Sequence, residues 1–399
     1  MNEQILYWIW LATRARLGAK GLRALLESFG QPEALYAADA ETLKRAGLTP
    51  ALCKALLDKQ LDRARSILQA CERLGITALP LGDEAYPAAL RQTADAPAVL
   101  YCRGRLPAAG ERPWIGLVGA RQADARGLTL ASRFGAEIAA CGGVVVTGMA
   151  KGVDAAAAEG ALEQGCPVVG VLGGGVDVIY PRENAALFAR VAAQGCLLSE
   201  YPPGAAPNAR HFPARNRIIS ALSDGIVVVQ AAEGSGALIT ARWAAEQGRD
   251  VFSVPGPAGE ALSRGCNQLL RDGAALAESG RDVMREYLFR YPNAIRMQNE
   301  ASGIRHQASG DGGYDEGVVG AQRVRPPEAQ VSNSAVRPLP EGLTSVQTAI
   351  VEALRGGAMQ LDALIDKTGL PAAQVLPQLT VLQIKKLLSQ EPGKIYKLL

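Results

Sequence analysis

Between Trp114 and Tyr287 the chain repeats one pattern: a short run of Val, Ile and Leu, a glycine-bearing turn, then an alanine-rich stretch with helical spacing. The apolar runs are Ile115–Val118, Val144–Thr147, Val168–Leu172, Leu197–Ser199, Ile226–Val229 and Val251–Val254. Segments such as L-T-L-A-S-R-F-G-A-E-I-A-A and V-D-A-A-A-A-E-G-A-L-E-Q lie between them. Strands that are apolar on both faces have to be buried on both faces, and helical crossovers set successive strands parallel. The pattern predicts an α/β fold with an extended Rossmann-like, doubly wound, mostly parallel sheet. The 399 residues leave room for further domains on either side.

Residues 1–75 read as a helical domain. In L-G-A-K-G-L-R-A-L-L-E-S-F-G, the side chains of Leu22, Leu25, Leu26 and Phe29 share a helical face behind a Gly18-x-x-Gly21 turn, an arrangement similar to SAM or helix-hairpin-helix modules. The Rossmann-like core is expected over 76–290. From Asn293 to Pro340 the composition turns to Gly, Ser, Gln, Asn, Pro and charge without periodicity, which predicts a disordered linker over 291–340. Residues 341–399 show three helical patterns and a short hairpin, E-P-G-K-I-Y-K-L-L, as in a winged helix. Lys385 and Lys386 stand near the end of the third pattern, so protein contact is as well supported there as nucleic-acid contact.

The turns after the apolar runs carry groups suited to phosphate. Gly119 and Arg121 follow the first run, Gly148, Lys151, Gly152 and Asp154 the second, and Gly173, Gly174 and Gly175 the third. None of these turns is a G-x-G-x-x-G or Walker loop. Glycine lets backbone N–H groups approach an anion, and arginine forks pair with its oxygens. Arg215-Asn216-Arg217 precedes an apolar I-I-S and is expected to open a helix; cations there oppose the helix dipole unless an anion neutralises them. Ser235-Gly236 precedes A-L-I-T-A-R-W and is expected to form an anion nest. Asp154 is expected to cap its helix and Glu200 to orient neighbouring arginines.

Other chemistry is thinly represented. The only histidines are His211 and His306, neither with an evident nucleophile or metal partner, so no catalytic residue, metal or cofactor is expected. Aromatic content of 5% argues against broad base-stacking platforms, and a net charge of +3 does not by itself call for nucleic acid. Seven scattered cysteines without a C-x-x-C pair suit reduced, buried thiols. The N-terminus lacks a basic leader and no run is long enough to span a bilayer, which points to a cytoplasmic protein without membrane contact.

Taken in order, V-G-A-R, T-G-M-A-K-G-V-D, G-G-G-V-D-V-I-Y-P-R-E-N, F-P-A-R-N-R-I-I-S, G-S-G-A-L-I-T-A, V-P-G and G-C-N-Q-L-L-R-D-G-A resemble the DNA-processing protein DprA (Smf) family over roughly residues 80 to 280. The resemblance implies a non-enzymatic protein that binds single-stranded DNA cooperatively as a homodimer and loads the RecA recombinase during natural transformation. On that reading Arg121, Lys151, Arg215 and Arg217 are phosphate cations, and Gly119, Gly148, Gly152, Ser235 and Gly236 supply backbone or hydroxyl donors. Asn216 then reaches a base edge or phosphate, and self-association is placed near Val251–Leu276. Ala120, Asp124 and Arg126 depart from the family's V-G-S-R block, and Asp124 would repel phosphate if it faced the groove.

A second reading is a nucleotide-cleaving enzyme of the lysine-decarboxylase-like or phosphoribohydrolase type. Such enzymes use P-G-G-x-G-T-x-x-E, whereas this chain has E-G-S-G-A-L-I-T-A with an apolar run in place of the glutamate.

Overall fold

The computed structural model describes residues 3–14, 19–297, 343–384, 387–391 and 395–398. The chain divides into two compact units, Met1–Met297 and Gln298–Leu399.

The first unit begins with six helices: α1 (Glu3–Thr13), α2 (Ala19–Phe29), α3 (Pro32–Ala37), α4 (Ala40–Arg45), α5 (Pro50–Leu57) and α6 (Asp62–Leu74). Local signals set their ends. Asp39 accepts the Thr42 amide (2.8 Å) ahead of α4, Thr49 caps α5 with Pro50 in its first turn, and Gly75 stops α6 at φ 65°. Gly21 lies inside α2 rather than in a turn, because A-K-G-L-R-A continues the helical register. Gly18 falls outside the described residues.

The sheet holds β1 (Ile76–Pro80), β2 (Val99–Gly104), β3 (Trp114–Val118), β4 (Val144–Thr147), β5 (Val168–Val171), β6 (Cys196–Ser199), β7 (Gly225–Val228), β8 (Asp250–Ser253) and β9 (Ala275–Leu276). Their order is β1-β2-β6-β5-β4-β3-β7-β8-β9. Every pair from β6 to β9 is parallel, whereas β1–β2 and β2–β6 are antiparallel. The six expected strands are present within about a residue at each end. The antiparallel pair β1–β2 and the short β9 extend the sheet at its two sides.

Alternate side chains feed two apolar layers. Ile115 and Leu117 of β3 join one cluster, and Trp114 and Val118 join the other. Helices α7 (Ala88–Arg91), α11 (His211–Leu222), α12 (Gly236–Glu246) and α13 (Arg264–Arg271) supply the second layer through residues such as Leu90, Ile218, Ala241 and Cys266. Helices α8 (Ala125–Ala140), α9 (Val153–Glu163), α10 (Ala185–Gln194) and α14 (Gly280–Arg285) supply the first. That first layer continues without a break into the helical head, through Trp10, Leu35, Leu43 and Leu56. Head and sheet are therefore packed as one unit. All seven cysteines are free thiols, and only Cys166 is not fully buried.

The unit also runs past the expected start of the linker. Tyr291 and Ile295 are buried, and the Arg296 amide donates to the Cys141 carbonyl at 3.0 Å, so Asn293–Met297 belongs to the core. Two apolar anchors decide this against a polar local composition. The remaining linker expectation lies outside the described residues.

The second unit contains α15 (Ser345–Leu354), α16 (Leu361–Thr368) and α17 (Ala372–Ile384). A small sheet of β10 (Met359–Gln360), β11 (Leu388–Glu391) and β12 (Ile395–Leu398), in the order β10-β12-β11, completes it. Ile350, Leu364, Val375 and Leu382 form its core, and a Thr344–Gln347 capping box starts α15. This is a winged-helix arrangement. Lys385 and Lys386 lie outside the described residues.

Candidate nucleic-acid interface

The strand order reverses at β3: β4, β5 and β6 lie on one side, β7 and β8 on the other. Crevices at such switch points, beyond the carboxyl ends of the strands, are where open α/β sheets take ligands. Here a cavity of about 730 Å³ opens beyond β3 and β7, and Gly119, Arg121, Arg215, Asn216, Ser235 and Gly236 all line it.

The β3–α8 turn presents Arg121, which is exposed and lies over the Phe212 ring at 5.1 Å. Gly119 is backed by Val153, whose Cγ2 would stand 2.6 Å from any Cβ there. Asp124 does not compete with an anion in the groove. It caps α8, accepting the Gly127 amide at 2.7 Å, and that backbone bond holds its carboxyl below the ordinary range.

The β4–α9 turn works from beneath. Gly152 has φ 79°, and a Cβ there would meet the Ala120 carbonyl at 2.3 Å, so one turn rests directly on the other. A Cβ on Gly148 would fall 2.5 Å from Arg215 Nη2 and 2.6 Å from Asp154 Oδ2. Glycine here leaves room for that guanidinium and carboxylate. Asp154 is not the expected cap. Gly152 is the N-cap, and the buried Asp154 carboxylate accepts the Ala150 amide (3.3 Å) beside Arg215. Burial raises its pKa, and the Arg215 charge works against that rise. Lys151 turns outward to Glu183 at 2.7 Å and does not line the cavity.

Helix α11 starts at His211, one turn earlier than expected, since Pro213 fits a first turn and the helix runs through it. Arg215 and Arg217 thus sit in its second turn. Their neutralising anions belong to the protein. Arg215 is 3% exposed, lies beside Asp154, and donates from Nη1 to the Gly148 carbonyl at 2.8 Å and to the Val171 carbonyl. Burial lowers its pKa to about 10, with Asp154 opposing. Arg217 makes a two-pronged contact with Glu200 (2.7 and 2.8 Å) and reaches Asp95 from Nε at 3.1 Å. Glu200 orients an arginine as expected, while the expectation of Arg217 as an open phosphate cation conflicts with these two carboxylates. Asn216 donates to the Gly236 carbonyl (3.2 Å), joining α11 to the start of α12. Ser235 is the N-cap of α12, yet its buried Oγ has no hydrogen-bond partner among the described residues.

The structure also adds side chains that composition argued against. Tyr180, half exposed, and Phe212 face each other at 5.6 Å at the cavity mouth. The V-I-Y-P and F-P-A-R blocks that hold them were visible in the sequence, but a low overall aromatic content hides a local pair. Asp95, in the loop before β2, carried no sequence signal.

A family model described as DNA recombination-mediator protein A matches residues 77–288, and a second, the DprA winged helix domain, matches 334–394. The chain is 37% identical over 246 residues to the DNA processing protein DprA of Bacillus subtilis, spanning 62% of this chain and 83% of that protein. The chain belongs to the DprA family. Protein Smf of a Synechocystis species is 34% identical, with 79% of this chain and 78% of that protein covered. The crystal structure of DprA from Streptococcus pneumoniae superposes with a TM-score of 0.61 at 32% identity, covering 71% of this chain and 97% of that one. The residues matched by the DprA models include every element that builds the crevice, β3 to α12.

Proposed function

We propose that this DprA-family protein is a recombination mediator that binds single-stranded DNA across the β3–β7 crevice. The observation that carries the reading is the convergence, on one cavity, of an exposed arginine, an uncapped helix start and two facing aromatic rings. Arg121 is the phosphate cation, and the first turn of α12 with Ser235 and Gly236 supplies further donors. Phe212 and Tyr180 give bases a stacking surface. Gly148 and Gly152 shape the floor. Arg215 and Arg217 hold it in place rather than meet the strand. Lys151 adds only a peripheral charge, shared with Glu183.

Loading of RecA and a homodimer near Val251–Leu276 are parts of the same proposal. They are supported by membership of the DprA family. A twofold pair of crevices would give one strand two sites and cooperative loading. No helix among the described residues is long and apolar enough to cross a membrane.

The nucleotide-cleaving alternative needs a glutamate four residues after Gly236, where Thr240 stands behind the run Ala237, Leu238 and Ile239. Release of free base from nucleoside monophosphates would restore it.

The test is titration of wild type and Arg121→Ala with a pyrimidine strand at two salt concentrations. Loss of one charged hydrogen bond should weaken binding about 10- to 100-fold, and loss of one phosphate contact should reduce the log–log salt slope by about 0.7. Unchanged affinity and slope would remove Arg121, and this crevice, from the DNA site.

A further inference from the structure

The cavity is larger and more specifically furnished than a passing strand requires. At about 730 Å³ it falls among small-molecule sites, which run to roughly 300–1,000 Å³. It lies at the sheet's switch point, where folds of this class hold nucleotides. One end is built for a compact anion. Helix α12 is 11 residues long, the Gly236 and Ala237 amides in its first turn have no acceptor among the described residues, and the buried Ser235 Oγ beside them has no partner. Arg215, 3% exposed and part of the cavity wall, keeps an unpartnered Nε. Asp154 offsets the Arg215 charge, which leaves exposed Arg121 and the helix dipole to attract one anionic group. The other wall is apolar: Tyr180, Phe212, Pro207 and Pro213. Phosphate donors and an aromatic wall in one cavity match a nucleotide, not a phosphate alone.

We propose that the cavity takes one nucleoside 5′-monophosphate as a ligand in its own right. The phosphate lies on the Ser235–Ala237 turn and Arg121, and the base lies against Tyr180 and Phe212. The proposal uses the crevice of the strand-binding reading but does not depend on strand binding. Its sources are a free nucleotide or the 5′-phosphorylated end of a strand, and a nucleotide in this seat excludes the strand segment that would cross it.

Calorimetric titration of the full chain with thymidine 5′-monophosphate is expected to give one site per chain. Thymidine and inorganic phosphate, each tested alone, should bind at least tenfold more weakly. A Cβ at Gly236 meets nothing within 4 Å, and a carboxylate in the first turn suits a helix start. Gly236→Asp should therefore fold normally and weaken the nucleotide at least tenfold. Ser235→Ala, which removes only the orphan hydroxyl, should weaken it several-fold. Three results would each overturn the proposal: no nucleotide binding by a chain that binds a strand, phosphate binding as well as the nucleotide, or full affinity retained in both variants. The first leaves the strand-binding reading intact, and nucleotide binding without strand binding would sink only that reading. In competition, the nucleotide should displace a labelled strand. A strand with a 5′-phosphate that outbinds its 5′-hydroxyl counterpart would assign the seat to strand ends, and equal binding would assign it to free nucleotides.

Discussion

Arg121 lies exposed across the Phe212 ring, while Arg215, buried in the wall of the same crevice, directs its guanidinium to main-chain carbonyls beside Asp154. The two should respond to truncation in opposite ways. Arg121→Ala should leave stability within about 0.5 kcal/mol, as surface changes do, and lower DNA affinity. Arg215→Ala strands the Asp154 carboxyl without its counter-charge and should cost about 3–5 kcal/mol, read from denaturant midpoints. If Arg215→Ala is as stable as Arg121→Ala, the buried arginine has no structural task. The residue types of this site were legible in the sequence, but the directions of their side chains were not. An arginine before an apolar run reads the same whether its anion is a phosphate or a carboxylate from a distant loop. Glu200 and Asp95 come to Arg217 through the tertiary fold, and Asp154 turns inward because Arg215 stands beside it. Spacing along the chain carries neither fact.

At the scale of elements, α8 and α9 meet through two glycines. A Cβ on Gly135 would lie 2.1 Å from the Ala157 carbonyl, and one on Gly160 would lie 2.1 Å from the Ser132 carbonyl. The contact is reciprocal and backbone-to-backbone, so neither side can yield by rotating a side chain. Alanine favours a helix by up to about 1 kcal/mol over glycine. The clash outweighs that gain: Gly135→Ala and Gly160→Ala should each destabilise by about 1–3 kcal/mol in urea melts. A stabilised variant would mean that the two helices can separate freely. The six central strands could be read from sequence because burial on both faces leaves an uninterrupted apolar signature. The strands β1, β2 and β9 lack it. β1 ends on Pro80, β2 runs into exposed Arg103 and Gly104, and β9 is two exposed residues recognisable only by their pairing with β8. Helix α11 begins a turn ahead of its apolar run because Pro213 sits in the first turn, where its missing N–H costs nothing.

For the molecule as a whole, the packing boundary falls at Met297, not between head and sheet. Limited proteolysis should cut first within the polar stretch 298–342 and leave a fragment ending near Met297 that keeps its DNA affinity. Cleavage between α6 and β1 at comparable rates would contradict the shared apolar layer. That layer also has a consequence for synthesis. Its first contributors are Trp8 to Leu11 and its last are Tyr287, Tyr291 and Ile295, which close over Asp224 and Asp250 through tyrosine hydroxyl bonds of 3.0 and 3.1 Å. A ribosome adding about 5–20 residues per second needs roughly 15–60 s to reach Met297. Until then Phe252 lacks the Tyr287 ring that packs 6.4 Å from it, so the emerging sheet is a natural client for chaperones that shield apolar surface.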